Sequence, residues 1–146
     1  MILAVDRMQA FVRNTLAQEA RDNAYTLAFY LLGDESLAAQ ATWEAFQQAR
    51  RKWRDRPGVF RLEVFRGVVA FCCAQTPALR RGAQEPFMAH ILCLRAEQRA
   101  AVVLVDILRL SYEESSTVLG CSTGAVARLV AQARVAVHHA VMAGRE

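Results

Sequence analysis

The sequence predicts an all-α fold built as two small helical domains. Three observations carry that prediction. Apolar residues recur at spacings of three and four, and no run alternates as a half-buried strand would. The chain is 54% hydrophobic with only three prolines and seven glycines in 146 residues. The segment from Ser111 to Arg134, SYEESSTVLGCSTGAVARLVAQAR, has the form of two short helices joined by a tight turn.

The first helical stretch runs from about residue 6 to 32, with Met8, Phe11, Val12, Leu16, Leu27, Phe29, Leu31 and Leu32 at helical spacing. Arg21-Asp22-Asn23 allows either one helix or two, and Gly33-Asp34 reads as a stop followed by a start. A second helix is expected from about 36 to 54. Leu37, Ala41, Trp43, Phe46, Ala49 and Trp53 give it an apolar side, and Arg50, Arg51, Lys52, Arg54 and Arg56 make its end basic. Cations suit a helix C-terminus through the macrodipole, and they suit a phosphate-facing surface equally. Pro57-Gly58 reads as a break. A third helix follows from about 60 to 75. Its centre, VFRGVVAFCCA, is apolar around nearly the whole circumference except for Arg66, so it belongs in a core or against a partner.

Residues 76–86, TPALRRGAQEP, cluster proline, glycine and charge and form the best linker. Domains are therefore expected at 1–76 and 87–146, joined through 77–86. Eleven residues span at most roughly 35–40 Å, so the two domains can pack together, with Phe87-Met88 and Ile91-Leu92 helping to bury the third helix. A helix from about 87 or 96 to 108 leads into the final pair.

That pair carries the clearest local signals. Ser111 and Glu114 have capping-box spacing. Gly120 stands where the first helix of the pair should stop, because glycine enters the left-handed region without a Cβ penalty. Ser122 can cap the second. Cap, helix, glycine turn, cap, helix describes a helix-turn-helix, whose second helix usually lies in a DNA major groove. At about 100° per residue, Val126, Leu129, Val130, Ala133 and Val137 share one face, which is the core face. The opposite face holds Gly124, Ala127, Arg128, Ala131, Gln132 and Val135, flanked by Arg134 and His138.

Composition narrows the function classes. Net charge is +4, and seventeen of the eighteen basic residues are arginine, with Lys52 the one lysine. A mild basic excess is compatible with nucleic acid; the arginine bias equally fits a GC-rich genome. Cys72, Cys73, Cys93 and Cys121 contain no C-x-x-C pair, and His90, His138 and His139 do not complete a zinc site, so no metal or cofactor is expected. Vicinal Cys72 and Cys73 read as reduced core residues of a cytoplasmic protein. The apolar start Met1-Ile2-Leu3-Ala4-Val5 is too short for a signal peptide or a membrane span. With no Gly-rich phosphate loop, paired carboxylates or Ser/Cys–His constellation, an enzyme is not expected. Glu113-Glu114 places favourable negative charge at a helix N-terminus.

Together these parts resemble a bacterial sigma factor of the extracytoplasmic-function class. Glu97-Gln98-Arg99, Asp106, Leu110-Ser111-Tyr112-Glu113-Glu114, Leu119-Gly120, Ser122 and Gly124-Ala125-Val126 fall in register with the family's region four. Leu31-Leu32-Gly33-Asp34 and Glu44-Ala45-Phe46 match its region two. The resemblance implies a non-enzymatic transcription-initiation protein that binds RNA polymerase core and promoter DNA, with a possible anti-sigma partner or self-association. It places DNA contacts at Ser122, Thr123, Gly124, Arg128, Gln132 and Arg134. Polymerase or partner contacts fall at Gln40, Trp43, Glu44, Phe46 and Val69.

The chain also departs from the family pattern. Gln40 and Trp43 stand where an acidic residue and a glutamine usually hold the polymerase, which removes a charge-assisted contact. Val69, Ala70 and Ala74 stand where polar residues usually face the non-template strand, and flipped bases need hydrogen-bonding edges or stacking platforms. Phe65, Phe71 and Trp53 offer rings for stacking, although core positions suit them better. The alternative reading is a sigma-derived interaction module that binds a partner or a second copy through Val64, Val68, Val69 and Phe71.

Overall fold

The computed structural model describes residues 2–53, 56–75 and 86–144, and among them the fold is all-α, with no strand. Helix α1 (Ile2–Leu32) is continuous, so Arg21-Asp22-Asn23 does not break it. Without proline or glycine there, nothing removes a backbone bond. Of the apolar residues expected near its start, Met8 is 68% exposed rather than buried. The side chains of Phe11, Val12 and Leu16 lie outside the described residues. Buried contacts run through Ala20, Ala24, Leu27, Ala28, Leu31 and Leu32.

Gly33 ends α1 with φ +68°, its amide bonded to Phe29 O at 2.7 Å. Two constraints select glycine here. The left-handed φ is one; the other is space, since a Cβ would lie 2.7 Å from Leu92 Cδ1. Asp34 Oδ1 then accepts from Leu37 N at 2.9 Å and starts α2 (Glu35–Trp53). Helix α2 buries Ala38, Ala41, Thr42, Ala45 and Ala49, small residues one turn apart. Its neighbour is α3 (Pro57–Cys73). A Cβ on Gly67 would come 3.0 Å from Ala45 Cβ, so α2 and α3 approach where both carry minimal side chains. Above this crossing Phe46 and Phe60 meet edge to face at 5.1 Å, and Arg21 lies over the Phe46 ring.

Pro57 begins α3 instead of breaking the chain before it. Proline's fixed φ and missing N–H cost nothing at the first helical position. Val64, Phe65, Val68, Val69 and Cys72 are buried. Phe65 is therefore a core residue with no face free for a base. Cys73, by contrast, is exposed. Adjacent helical residues point about 100° apart, so the vicinal cysteines do not share the core.

The remaining helices are α4 (Pro86–Leu92), α5 (Ala96–Val102), α6 (Tyr112–Leu119) and α7 (Thr123–Ala143). Helix α5 continues into a π-helical turn, Val103–Ile107, in which Leu108 N donates to Val103 O at 2.9 Å. Arg109 follows at φ 62°, a left-handed conformation unusual for a residue with a side chain. Leu110 N then reaches Leu104 O at 3.0 Å and closes the end of the helix.

Buried residues from α1, α2 and α3 join those of α4 to α7 in one apolar cluster, which includes Leu27, Phe65, Val68, Ile91, Leu94, Leu104, Val118 and Ala133. The expectation that α4 helps cover α3 needs correction. Helix α4 packs on α1 and α7, and α6 is the helix that covers α3. Met88, Ile91 and Leu92 are buried, while Phe87 stays largely exposed with its ring against Tyr30. The outer side of α3 is thus closed by the first helix of the helix-turn-helix.

Candidate nucleic-acid and partner interface

The helix-turn-helix forms through its caps. Ser111 Oγ accepts from Glu114 N at 3.0 Å, and Glu114 Oε1 accepts from Ser111 N at 3.1 Å, completing the capping box. Gly120 terminates α6 at φ 67°, its amide bonded to Ser116 O at 2.8 Å. Ser122 Oγ accepts from Ala125 N at 3.1 Å and starts α7. Val126, Val130 and Ala133 are buried on the core face, with Leu129 and Val137 partly so.

The outward face of α7 is free. Ser122, Thr123, Gly124, Arg128, Ala131, Gln132, Arg134 and Val135 are all exposed. The six candidate DNA contacts therefore lie on one accessible side, but they are not equally available. Arg134 is bound in a fork to Asp106, Nε to Oδ2 at 2.9 Å and Nη2 to Oδ1 at 2.6 Å. That hydrogen bond, ahead of the guanidinium charge, holds the Asp106 carboxyl below its ordinary range and raises Arg134 further. Gln132 Oε1 accepts from Gln98 Nε2 at 3.3 Å. Arg128 has no side-chain partner among the described residues. Sequence periodicity places Arg134 on this flank. It gives no sign of the bond to Asp106, which stands twenty-eight residues earlier within the π turn.

The candidate partner residues divide in two. Gln40, Trp43 and Glu44 lie on the exposed side of α2, where Gln40 Nε2 donates to Glu44 Oε1 at 3.3 Å. Trp43 is 66% exposed, a large aromatic surface without cover. Phe46 is partly buried against Phe60. Val69 lies in the core, as do Val64 and Val68, while Phe71 is partly buried. In this arrangement the apolar face of α3 is occupied by the chain itself. The basic residues Arg50, Arg51, Lys52 and Arg56 are exposed, and Arg54 lies outside the described residues.

Two polar ties fasten the junction, and sequence reasoning assigned a role to neither. Arg99, 6% exposed, donates Nη1 to Leu31 O at 2.6 Å and Nη2 to Leu94 O at 3.0 Å. It thus satisfies a carbonyl at the end of α1, where helix carbonyls lack intrahelical partners. Burial lowers its pKa, and the neighbouring Cys73, Cys72 and Cys93 oppose that shift. Burial also pushes the Cys72 thiol up to about 12, so it is no thiolate nucleophile. The second tie is Arg61 Nη1 to Glu114 Oε2 at 2.8 Å. The Ser111 amide bond, and after it the Arg61 contact, holds the Glu114 carboxyl below its usual range. Arg99 was visible in the sequence only as a family-pattern residue; its target is a main-chain carbonyl, which leaves no side-chain signature.

Residues 85–137 match the family model for sigma-70, region 4. The match covers α4 through most of α7, and so the whole helix-turn-helix. No curated protein matches the chain. Among the described residues, no cluster of histidine, cysteine or carboxylate side chains is arranged to hold a metal, and no helix is long and apolar enough to cross a membrane.

Proposed function

We propose that the protein acts in transcription initiation as a sigma-factor-like protein. In this reading it binds duplex promoter DNA through the outward face of α7. It presents the Gln40–Trp43–Glu44 face of α2 to RNA polymerase core. The supporting observation is a fully capped helix-turn-helix, within the segment matching sigma-70 region 4, whose outward face stays open although α6 is packed on α3. Ser122, Thr123 and Gly124 set the start of α7 toward the groove, where exposed amides and the positive end of the helix favour phosphate. Arg128 supplies a side chain able to reach a base edge or a phosphate.

A second reading, a sigma-derived interaction module with little DNA reading, draws on the pairing of Arg134 with Asp106 and on the exposed Trp43. One pair of measurements separates them. The purified chain is titrated with labelled duplex DNA at low salt, and tested for association with core RNA polymerase. The first reading expects salt-dependent DNA binding and polymerase association. Polymerase association without DNA binding would favour the module. Absence of both would refute the initiation role.

A further inference from the structure

The exposed surface beside the turn of the helix-turn-helix includes a side chain from outside α6 and α7. Arg66 stands on α3, in the other half of the chain, and keeps 54% of its side chain exposed. Its guanidinium lies near the turn of the motif: a Cβ built on Gly120 would sit 3.9 Å from Arg66 Nη2. Two residues on from Gly120, Ser122 opens α7. The packing of α6 on α3 thus carries a cation to the edge of the proposed groove-facing surface, where the motif's own sequence supplies few.

The charges around Arg66 favour a phosphate contact. Its one ion-pair neighbour among the described residues is Glu63, one helical turn away at 3.6 Å. That is long for a charge-assisted bond, and exposed pairs of this kind are weak and screened. Arg61, one turn earlier, is committed to Glu114 at 2.8 Å. Arg134, on the far flank of α7, is committed to Asp106. Among the described residues, Arg66 and Arg128, like Arg109 just before α6, thus make no short ion pair. In a helix-turn-helix complex, phosphate contacts beside the groove set position, and base contacts specify.

We infer that Arg66 of α3 contacts a phosphate of the duplex held by α7, so that the two halves of the chain bind DNA as one packed unit. This rests on the duplex-binding reading above. On that footing Arg66 acts as a positioning residue and carries no sequence information. Its contribution is electrostatic: each phosphate neutralised releases counterions and adds about 0.9 to the slope of log K against log salt.

The experiment measures duplex DNA binding by fluorescence anisotropy across a salt series, for the full chain and for Arg66→Ala, Arg128→Ala and Arg51→Ala. Arg51 is exposed at the end of α2, on a different helix from Arg66, and serves as the net-charge control. The expected result is a slope shallower by about 0.9 for Arg66→Ala, with a severalfold loss of affinity at low salt and no change in sequence preference. Arg51→Ala should leave the slope unchanged. Glu63→Gln, which removes the competing carboxylate, should tighten binding. If Arg128→Ala weakens binding while Arg66→Ala matches the parent, the inference falls and the duplex-binding reading stands. Equal losses for Arg66→Ala and Arg51→Ala would also overturn it, since only net charge would then matter. If the parent chain binds no duplex DNA, both readings fall.

Discussion

Helices α3 and α7 are both rich in apolar residues, and the fold treats them oppositely. Helix α3 is apolar over most of its circumference, and α1, α2 and α6 all pack on it, leaving the stripe through Arg66, Ala70 and Cys73 exposed. Helix α7 has one apolar face in the core and leaves the other exposed along its length, with Val135 55% exposed. The difference follows from where each helix sits in the chain. An all-apolar helix cannot remain half-covered in water, so α3 recruits the helix-turn-helix as its lid. Once α6 serves as that lid, α7 is left on the outside. The packing that hides α3 is the same packing that presents α7.

Charge substitutions break this comparison most sharply. Val68→Asp puts an unpaired carboxylate into a fully buried position of α3 and should cost more than about 4 kcal/mol. Val135→Asp on α7 should change stability by about 0.5 kcal/mol or less. Urea titrations of both variants check the contrast.

Arg99→Ala comes next, because it removes the guanidinium that joins α5 to the end of α1. Two charge-assisted bonds and the packing of the stem are lost, at an expected cost of about 2–4 kcal/mol, read as a lower denaturation midpoint. Arg109→Gly works in the other direction. Relief of the left-handed backbone should raise stability by about 1 kcal/mol, partly offset by the greater freedom of glycine in the unfolded chain. Thermal unfolding measures the gain.

Glu114→Gln is milder than Arg99→Ala. Glutamine keeps the capping box but loses the exposed ion pair to Arg61, for about 1 kcal/mol or less. The folded Glu114 and Asp106 carboxyls titrate below their ordinary values. Each therefore contributes stability above its unfolded pKa and loses it as pH falls through the lower folded value. Stability should decline on acidification below the ordinary carboxylate range, and Glu114→Gln should flatten that decline. Unfolding curves across that range test the slope.

Much of the fold was legible in the residues, for local reasons. The capping box of Ser111 and Glu114, the turn at Gly120, the cap at Ser122 and the core face of α7 each follow from spacing within a few residues. Gly33-Asp34 announced the α1–α2 turn in the same way. What escaped was set by contacts between distant segments. Pro57 beside Gly58 reads as a break, yet proline is equally at home opening a helix. Phe87-Met88 and Ile91-Leu92 suggest themselves as partial cover for α3, but apolar content cannot say which of several apolar helices will cover another. Arg134 looked available for DNA until the fold brought Asp106 beside it. Arg66 interrupts the apolar run of α3 and has its neighbour, Gly120, more than fifty residues away.

Hydrogen exchange with and without saturating duplex DNA tests the central claim most directly, namely that α7 meets DNA while α3 stays covered by α6. The account predicts that amides of Val64, Val68 and Cys72 keep their slow exchange when DNA is bound, while amides at the start of α7, from Thr123 to Arg128, slow further. Loss of protection along α3 on DNA binding would show that the halves separate to bind, and would contradict it.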